Sequence, residues 1–308
     1  MASGSSSQHD SLMGIPLILG SVALMTLADA LIKSMSDGIS VWVIFWGRAV
    51  VAIPLLLAAA ALFKWRLRPV RFGWVMVRNA SLALNWLLYY ASLPFFDFSF
   101  VAVILYLGPS IITILAAVFL REPTGWQQWL GTALGFAAIV VIVGPGKVEI
   151  TPLLLLPLGG AFFYALAMVL TRSHCQGEAP AAIALVLQGQ FLAIGIAASV
   201  LMPAGTPWAE AMPFVFAPPS WPEAQDWTLL IILGVLSVIY FMGVARAYQV
   251  TRAATVAVFD YAYMAFALLW GVVLLSETPG PTTYIGLVMM TTAGILASRR
   301  PKSVSATS

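Results

Sequence analysis

Charged side chains are scarce in this sequence of 308 residues. Lysine, arginine, aspartate and glutamate together make up 9% of the chain, whereas hydrophobic residues make up 61%. A soluble globular domain carries about 25% charged residues, because polar side chains must cover its surface. The shortage of charge therefore predicts an integral membrane protein whose surface faces lipid.

Cysteine and histidine are almost absent as well. The one cysteine, Cys175, excludes an internal disulfide, and the two histidines, His9 and His174, lie outside the apolar runs. A zinc site needs three or four such ligands close together. The sequence also lacks a G-x-S-x-G elbow, a pair of catalytic acids and a complete phosphate-binding loop. We therefore expect no enzymatic activity, no metal and no cofactor.

Long apolar runs, separated by short connections rich in glycine and proline, fill most of the chain. A membrane-spanning helix needs about 20 apolar residues. Ten runs have this length, and they are continuous rather than alternating with period two, which excludes a barrel of strands. In chain order the predicted spans 1 to 10 cover residues 12–34, 40–63, 73–93, 97–119, 125–143, 152–172, 180–202, 226–247, 254–275 and 281–298.

Positive charges are distributed unevenly between the spans. If the N-terminus is cytoplasmic, the outer connections hold only Lys33 and Lys147. The inner connections and tail then hold Lys64, Arg66, Arg68, Arg71, Arg121, Arg172, Arg252, Arg299, Arg300 and Lys302. Cytoplasmic loops of membrane proteins carry such an excess of lysine and arginine. We therefore expect a multi-pass protein of the bacterial inner membrane, with cytoplasmic tails at 1–11 and 299–308 and no nucleic-acid partner.

The second half of the sequence is similar to the first. Residues 101–131 align without gaps to residues 256–286, and nine of the 31 aligned positions are identical. Matches of apolar residues arise easily by chance between two apolar helices, but the match of Tyr106 with Tyr261 is less expected. A true internal repeat and a chance alignment both remain open, and the repeat is favoured.

A repeat of this length gives each half five spans. The predicted halves are 12–145 and 150–298, and an odd number of spans inverts the second copy relative to the first. The fold class is then all-α and membrane-embedded, with ten helices in two inverted repeats. Inverted repeats are typical of carriers that work by alternating access.

Several short segments carry a resemblance to a known family. They include "REPTGWQQWLG" at 121–131, "SETPG" at 276–280 and "GRAVVA" at 47–52. With these segments the chain resembles the EamA-type, ten-helix transporters of the drug/metabolite transporter superfamily. "LADALIKSM" at 27–35 also resembles a bacterial branch that includes S-adenosylmethionine and riboflavin uptake carriers. The resemblance implies that spans 1, 3, 4, 6, 8 and 9 line a central cavity, with spans 5 and 10 outside it.

Polar and aromatic residues at membrane depth are the candidates for this cavity. Ionisable side chains are costly in the bilayer interior and usually face a cavity or a partner. The candidate substrate-binding residues are Asp29, Arg48, Asn85, Tyr89, Tyr106, Tyr164, Tyr240, Asp260, Tyr261 and Trp270.

Three ion pairs are compatible with the spacing of the charges. Asp29 lies four residues before Lys33, so the two can pair on one helix face. Alternatively, Asp29 pairs with Arg48 of span 2, which would close an outer gate or hold a substrate carboxylate. At the other end of the spans, Arg246 and Asp260 are at similar depths. Lys33 and Arg246 are therefore the candidate gating residues.

A secondary transporter is the favoured function. Its substrate would be a small organic metabolite: an amino acid, a nucleoside-like compound such as S-adenosylmethionine, or a vitamin. Protons are a candidate coupling ion through Asp29 or Asp260, and the GxxxG pattern at 131–135 permits close packing in a monomer or a homodimer. A membrane-embedded lipid-modifying enzyme and a passive channel are the alternatives.

Overall fold

Helices make up nearly all of the structure. The computed structural model describes residues 4–35, 38–105, 107–119, 126–147, 151–202, 209–210, 212–216, 221–251, 256, 259–260 and 262–298. Its α-helices are α1 (Gly4–Met35), α2 (Val41–Phe63), α3 (Phe72–Ser92), α4 (Phe98–Leu105), α5 (Gly108–Phe119), α6 (Trp126–Lys147), α7 (Leu155–His174), α8 (Pro180–Leu201), α9 (Pro213–Phe216), α10 (Ala224–Val250), α11 (Ala262–Leu275) and α12 (Pro281–Ser298).

Most of the predicted spans correspond to helices, and most of their limits agree with the helices to within a few residues. Five of the described helical stretches are long and apolar enough to cross a membrane by length and composition: Met13–Ser34, Val41–Phe63, Pro152–His174, Pro180–Leu201 and Ala224–Val250. α5, α11 and part of α6 are shorter apolar helices. Span 9 begins at 254 in the prediction, but most of 252–261 lies outside the described residues.

Span 4 differs from its prediction, because it is two helices rather than one. α4 ends at Leu105, and α5 begins at Gly108. Pro109 is the second residue of α5, a position at which its missing N–H has no intrahelical partner to lose. The backbone N–H of Ile111 donates to the carbonyl of Leu107 at 2.9 Å, so the second helix starts around this proline.

Packing between the helices follows an approximate twofold symmetry. α1 packs on α10 as α7 packs on α3, and α1 packs on α11 as α7 packs on α5. The pairs α2–α8, α6–α12 and α4–α11 each join equivalent helices from the two halves. α6 and α12 pack mainly on each other, as expected for spans 5 and 10 outside the centre. Exchanging the two halves therefore maps each of these contacts onto another of them.

The outer surface is apolar along the helices. Val140, Val200 and Val288 are each at least 66% exposed, on three different helices. Large contiguous apolar surfaces are rare on soluble monomers. A hydrocarbon environment is the solvent in which this surface is stable.

Glycines allow the α2–α8 pair to approach closely. A β-carbon added at Gly195 of α8 would lie 2.7 Å from the carbonyl oxygen of Trp42 and 2.8 Å from the backbone nitrogen of Trp46. Backbone atoms cannot rotate away, so the two helices would have to separate. Gly189 lies on the same helix, and a β-carbon added there meets nothing within 4 Å.

This contrast predicts opposite effects for two identical substitutions. We expect Gly195→Ala to lower the free energy of unfolding by about 1–3 kcal/mol through overpacking. Gly189→Ala should be neutral or slightly stabilising, because alanine favours a helix more than glycine does. Thermal unfolding of the two purified variants in one detergent measures the difference, and equal melting temperatures would contradict the close α2–α8 contact.

Candidate functional site

Asp29 lies in the middle of the helix bundle and is fully buried. The hydroxyl of Tyr90, from α3, donates to its Oδ1 at 3.2 Å. The hydroxyl of Tyr263, from α11, donates to its Oδ2 at 2.7 Å. A further contact of 2.9 Å joins the hydroxyls of Tyr89 and Tyr263. The carboxylate of α1 therefore connects α1 to α3 and α11, and we call this group the Asp29 cluster.

Arg48 extends this cluster to α2. Its Nη1 donates to the hydroxyl of Tyr90 at 3.2 Å, so one tyrosine connects the guanidinium to the carboxylate of Asp29. The guanidinium carbon also lies 4.1 Å from the ring centre of Phe191 and 5.2 Å from that of Phe45. The prediction of a direct ion pair between Asp29 and Arg48 is therefore corrected. The two residues belong to one hydrogen-bond network, but the hydroxyl of Tyr90 lies between them.

Two nitrogens of Arg48 remain without a partner among the described residues. Nε and Nη2 are both buried and donate to no carbonyl, hydroxyl or carboxylate oxygen there. A buried guanidinium is stable when its N–H groups are paired and its planar face is stacked. Here the stacking is present and the pairing is incomplete, which leaves hydrogen-bond donors for an acceptor group of a ligand.

Lys33 lies one helical turn beyond Asp29 on α1. Its Nζ donates to the carbonyls of Leu93 at 3.0 Å and Phe96 at 2.7 Å. These carbonyls belong to the connection between α3 and α4. The ammonium therefore ties the end of α1 to the end of α3, on the side that the charge distribution predicts to be external.

Asp260 is the second fully buried carboxylate. Tyr164 of α7 donates to its Oδ2 at 2.6 Å, and Tyr248 of α10 donates to the same oxygen at 3.0 Å. Its Oδ1 is buried without a partner in the described part of the chain. We call these three residues the Asp260 cluster. It joins helices of the second half, as the Asp29 cluster mainly joins helices of the first.

The predicted pair between Arg246 and Asp260 is wrong. Arg246 is exposed on α10, whereas Asp260 is buried. Residues two apart on a helix do not share a face, so Tyr248 points inward while Arg246 points outward. A buried tyrosine therefore takes the place that the sequence suggested for the arginine.

Each cluster contains a residue of predicted span 9, Asp260 in one and Tyr263 in the other. These two residues are only three positions apart in the sequence. Asp260 accepts from α7 and α10, while Tyr263 donates to Asp29 of α1 and contacts Tyr89 of α3. A displacement of this segment would disturb both clusters together.

A small cavity lies between the two clusters. Its volume is about 10 Å³, which is about the space that one water molecule occupies. Its lining comes from α1, α3, α4, α5, α7 and α11, and consists of Met25, Asn85, Trp86, Leu105, Pro109, Tyr164 and Tyr263. Five of the six spans expected at the centre contribute to this lining. Among the described residues, this cavity is far too small to hold an organic molecule.

Aromatic rings form one wall of this centre. The ring of Trp86 lies 5.2 Å from Tyr90, 6.4 Å from Tyr240 and 6.1 Å from Phe241, measured between ring centres. The indole Nε1 of Trp86 is buried without an acceptor among the described residues. Next to it, the amide of Asn85, in the orientation that satisfies both its ends, donates to the carbonyl of Gly160 at 2.9 Å.

The remaining sequence-predicted residues have different positions. Tyr106 and Tyr261 lie outside the described residues. Trp270 is half-buried on α11, and its Nε1 has no acceptor in the part of the chain that is described. Arg78 of α3 is a further buried cation, and its Nε donates to the hydroxyl of Thr171 at 2.9 Å.

Sequence reasoning missed the residues that complete the clusters. Tyr90 follows the predicted Tyr89 in the sequence, and Tyr263 lies two residues after the predicted Tyr261. Tyr248 and Phe191 were not selected at all. Tyrosine and phenylalanine are common in membrane spans, so their type alone carries little signal. The useful signal was a buried acid, because its hydrogen-bond partners must lie on neighbouring helices.

These features define a class of protein: a polytopic helical membrane protein with a closed polar centre shared by its two halves. A family model points to the same class in more detail. The model of the EamA-like transporter family matches the chain twice, over residues 12–144 and 151–299. The chain belongs to the EamA-like transporter family.

Individual relatives agree with this membership. The riboflavin transporter of Vibrio cholerae is 26% identical to this chain over 78% of this chain and 76% of its own length. The S-adenosylmethionine uptake transporter of Rickettsia prowazekii is 24% identical over 59% and 56% of the two chains. The pseudopaline exporter CntI of Pseudomonas aeruginosa is 24% identical over 74% and 75%. These names support the transport of a small metabolite.

A solved structure shares the fold. It superposes with a TM-score of 0.68 over 94% of this chain and 98% of the other, at 19% sequence identity. The fold is therefore an established one.

The position of Tyr90 predicts a measurable loss of stability. We expect Tyr90→Phe to lower the free energy of unfolding by about 2 kcal/mol, because it removes one hydrogen bond from each of two buried charged groups. Tyr284→Phe is the matched control, since Tyr284 is 47% exposed. Thermal unfolding in detergent measures both variants, and the bridge between Asp29 and Arg48 would be refuted if they were equally stable.

Proposed function

We propose that this protein is a secondary transporter that moves a small organic metabolite across the bacterial inner membrane by alternating access. The observation that carries the proposal is the pair of buried carboxylate clusters that meet on span 9. The Asp29 cluster connects span 9 to α1 and α3 by hydrogen bonds, and the Asp260 cluster connects it to α7 and α10. Release of one cluster while the other stays formed would open the centre to one side at a time.

The approximate twofold symmetry supports this mechanism. In the proposal, residues 12–145 and 150–298 are inverted repeats, and each supplies the gate on one side of the centre. Exchanging the two halves maps each helix pair onto an equivalent pair. The states open to either side of the membrane can therefore have equivalent packing. The closed cavity of about 10 Å³ corresponds to an intermediate between these states.

We propose cytoplasmic N- and C-termini. The connection between α2 and α3 contains Lys64, Arg66, Arg68 and Arg71, and it lies at the end of the bundle that this orientation places inside. Asp29 then lies nearer the outer side and Asp260 nearer the inner side. The two clusters would thus act as outer and inner gates.

The substrate class follows from the wall of the centre and from the relatives. Trp86, Tyr89, Tyr90 and Tyr240 provide ring faces, and Arg48 provides unpaired donors beside them. Rings stack on flat aromatic groups, and guanidinium donors bind carbonyl or carboxylate oxygens. Relatives named for riboflavin and S-adenosylmethionine transport act on metabolites that contain such a flat heterocycle. We therefore propose a flavin or nucleoside-like metabolite.

Transport by the purified protein in liposomes tests this function. Radiolabelled riboflavin, S-adenosylmethionine and an amino-acid mixture should be compared, and we expect saturable uptake of one heterocyclic metabolite that is stimulated by counterflow. Absence of flux for every compound with folded protein would refute the proposal. Saturable flux without counterflow stimulation would indicate a channel instead.

Substitution of Trp86 in the aromatic wall tests the proposed substrate class independently of the transport function itself. We expect Trp86→Leu to raise the half-saturation concentration about tenfold, because a stacking face is worth about 1.4 kcal/mol at best. Trp86→Phe should restore part of this loss, since it keeps a ring. Trp129→Leu is the control, because Trp129 is 49% exposed on α6. Equal effects of the substitutions at 86 and 129 would contradict a wall that contacts substrate.

The two acids are the proposed sites of proton coupling. Acidic residues in the interior of membrane carriers commonly form proton pathways. We expect an imposed pH gradient to change the initial rate of uptake in the wild type, and Asp260→Asn to remove this response while counterflow exchange persists. Asp97→Asn is the matched control, because Asp97 is exposed at the start of α4.

A comparison across variants makes the coupling test decisive. Asp29→Asn should also remove the response if both clusters take part in the cycle. An unchanged response to the pH gradient in both variants would exclude the acids as coupling sites, while the transport function itself would stand.

A further inference from the structure

A large groove opens on the membrane-facing surface between α2, α3 and α8. Its volume is about 810 Å³, and its apolar lining includes Leu57 of α2, Phe72 of α3 and Leu185 of α8. Arg68 and Leu67, from the connection between α2 and α3, form its rim. The groove is much larger than the central cavity and shares no lining residue with it.

The connection at 64–71, which we call the basic loop, contains four cations, and one of them, Arg68, lines the groove. Lys64, Arg66, Arg68 and Arg71 occupy four of its eight positions, and their side chains are exposed. Four like charges close together repel one another unless an anion lies between them. Because Arg68 lines the groove, the groove and the basic loop are adjacent parts of one surface.

The backbone of the basic loop is held in place by an acid from another connection. Glu178 accepts hydrogen bonds from the backbone N–H of Val70 at 2.8 Å and of Arg71 at 2.6 Å. At the other end of the loop, Lys64 has a left-handed backbone with φ 54°, and the N–H of Trp65 donates to the carbonyl of Ala60 at 3.0 Å. The carboxylate of Glu178 is thus occupied by backbone N–H groups, and the arginine side chains remain available on a defined loop.

Aromatic residues place this loop at the level of lipid headgroups. Phe63 and Trp65 stack with 5.3 Å between ring centres and 23° between ring planes, and both are exposed. Tryptophan is enriched at the boundary between hydrocarbon and water. The apolar groove then lies at the depth of acyl chains, with the cations at the depth of phosphates.

We propose that this surface is a binding site for an anionic phospholipid. The phosphate lies between Arg66 and Arg68, and one acyl chain lies in the groove along Leu57, Phe72 and Leu185. Basic pockets between membrane helices at the interface bind acidic headgroups in this way. A free phosphate would use only the charges, whereas the groove requires a ligand with a hydrocarbon chain. The site is separate from the transport pathway, so it does not depend on the substrate.

Native mass spectrometry of the full chain in detergent tests the charged part of the site. Phosphatidylglycerol and phosphatidylcholine with the same acyl chains are added at equal concentrations. We expect the wild type to retain phosphatidylglycerol preferentially. Arg66→Gln together with Arg68→Gln should weaken this binding about 25-fold, since each cation near a membrane surface contributes about fivefold. Arg246→Gln removes one exposed charge from α10 and should change the binding less than twofold.

A second variant tests the groove without changing charge. Leu185→Trp fills the acyl-chain part of the site, and we expect it to weaken phosphatidylglycerol binding severalfold while the melting temperature of the protein without lipid is unchanged. Binding that depends on the arginines but not on Leu185 would overturn the groove and leave only surface attraction. Equal retention of both lipids, or competition by millimolar inorganic phosphate, would overturn the lipid site.

Discussion

Buried carboxylates that accept hydrogen bonds from tyrosine hydroxyls are the interactions around which this structure is organised. A carboxylate in a low-dielectric interior is destabilised by several kcal/mol unless it is hydrogen-bonded or neutralised. Asp29 and Asp260 are each bonded by two tyrosines, and each pair of tyrosines comes from two other helices. Since an unmet hydrogen bond is so costly in this environment, the acids determine which helices must be adjacent at the centre. Tyrosine suits this role because its ring packs like an apolar side chain while its hydroxyl donates.

Hydrogen bonds of this kind also differ from apolar packing in what their loss costs. Hydrogen bonds to tyrosine can be exchanged for bonds to water or to a substrate at a small net cost, whereas a well-packed apolar interface resists separation. α2 and α8 have such an interface, in which Gly195 brings the helices close enough for backbone contact. The contacts of α11 with α1 are instead polar at Asp29. The bundle thus combines close packing between equivalent helices with a polar contact at span 9.

The fold was predictable from the sequence because its main determinant, the position of long apolar runs, can be read directly along the chain. Each span needs about 20 apolar residues in a row, and lipid removes the ambiguity between helix and strand that a soluble protein would present. The broken span 4 was not predicted, although Pro109 marks the place. Sequence reasoning also selected the two buried acids, since an acid in an apolar run is unusual whatever its partners are.

The partners of those acids were not predictable for a physical reason. Which residues meet across helices depends on the rotation of each helix about its axis, and no property of a single apolar run determines that rotation. Arg246 and Tyr248 illustrate this. The charge of Arg246 made it the expected partner of Asp260, but Tyr248, two residues further along α10, faces Asp260 instead. Arg246 lies one turn before the end of α10, where a long cationic side chain can extend toward water or lipid headgroups. A buried guanidinium, in contrast, needs more hydrogen bonds than one carboxylate can offer. The tyrosine is therefore the better buried partner, and the arginine remains at the surface.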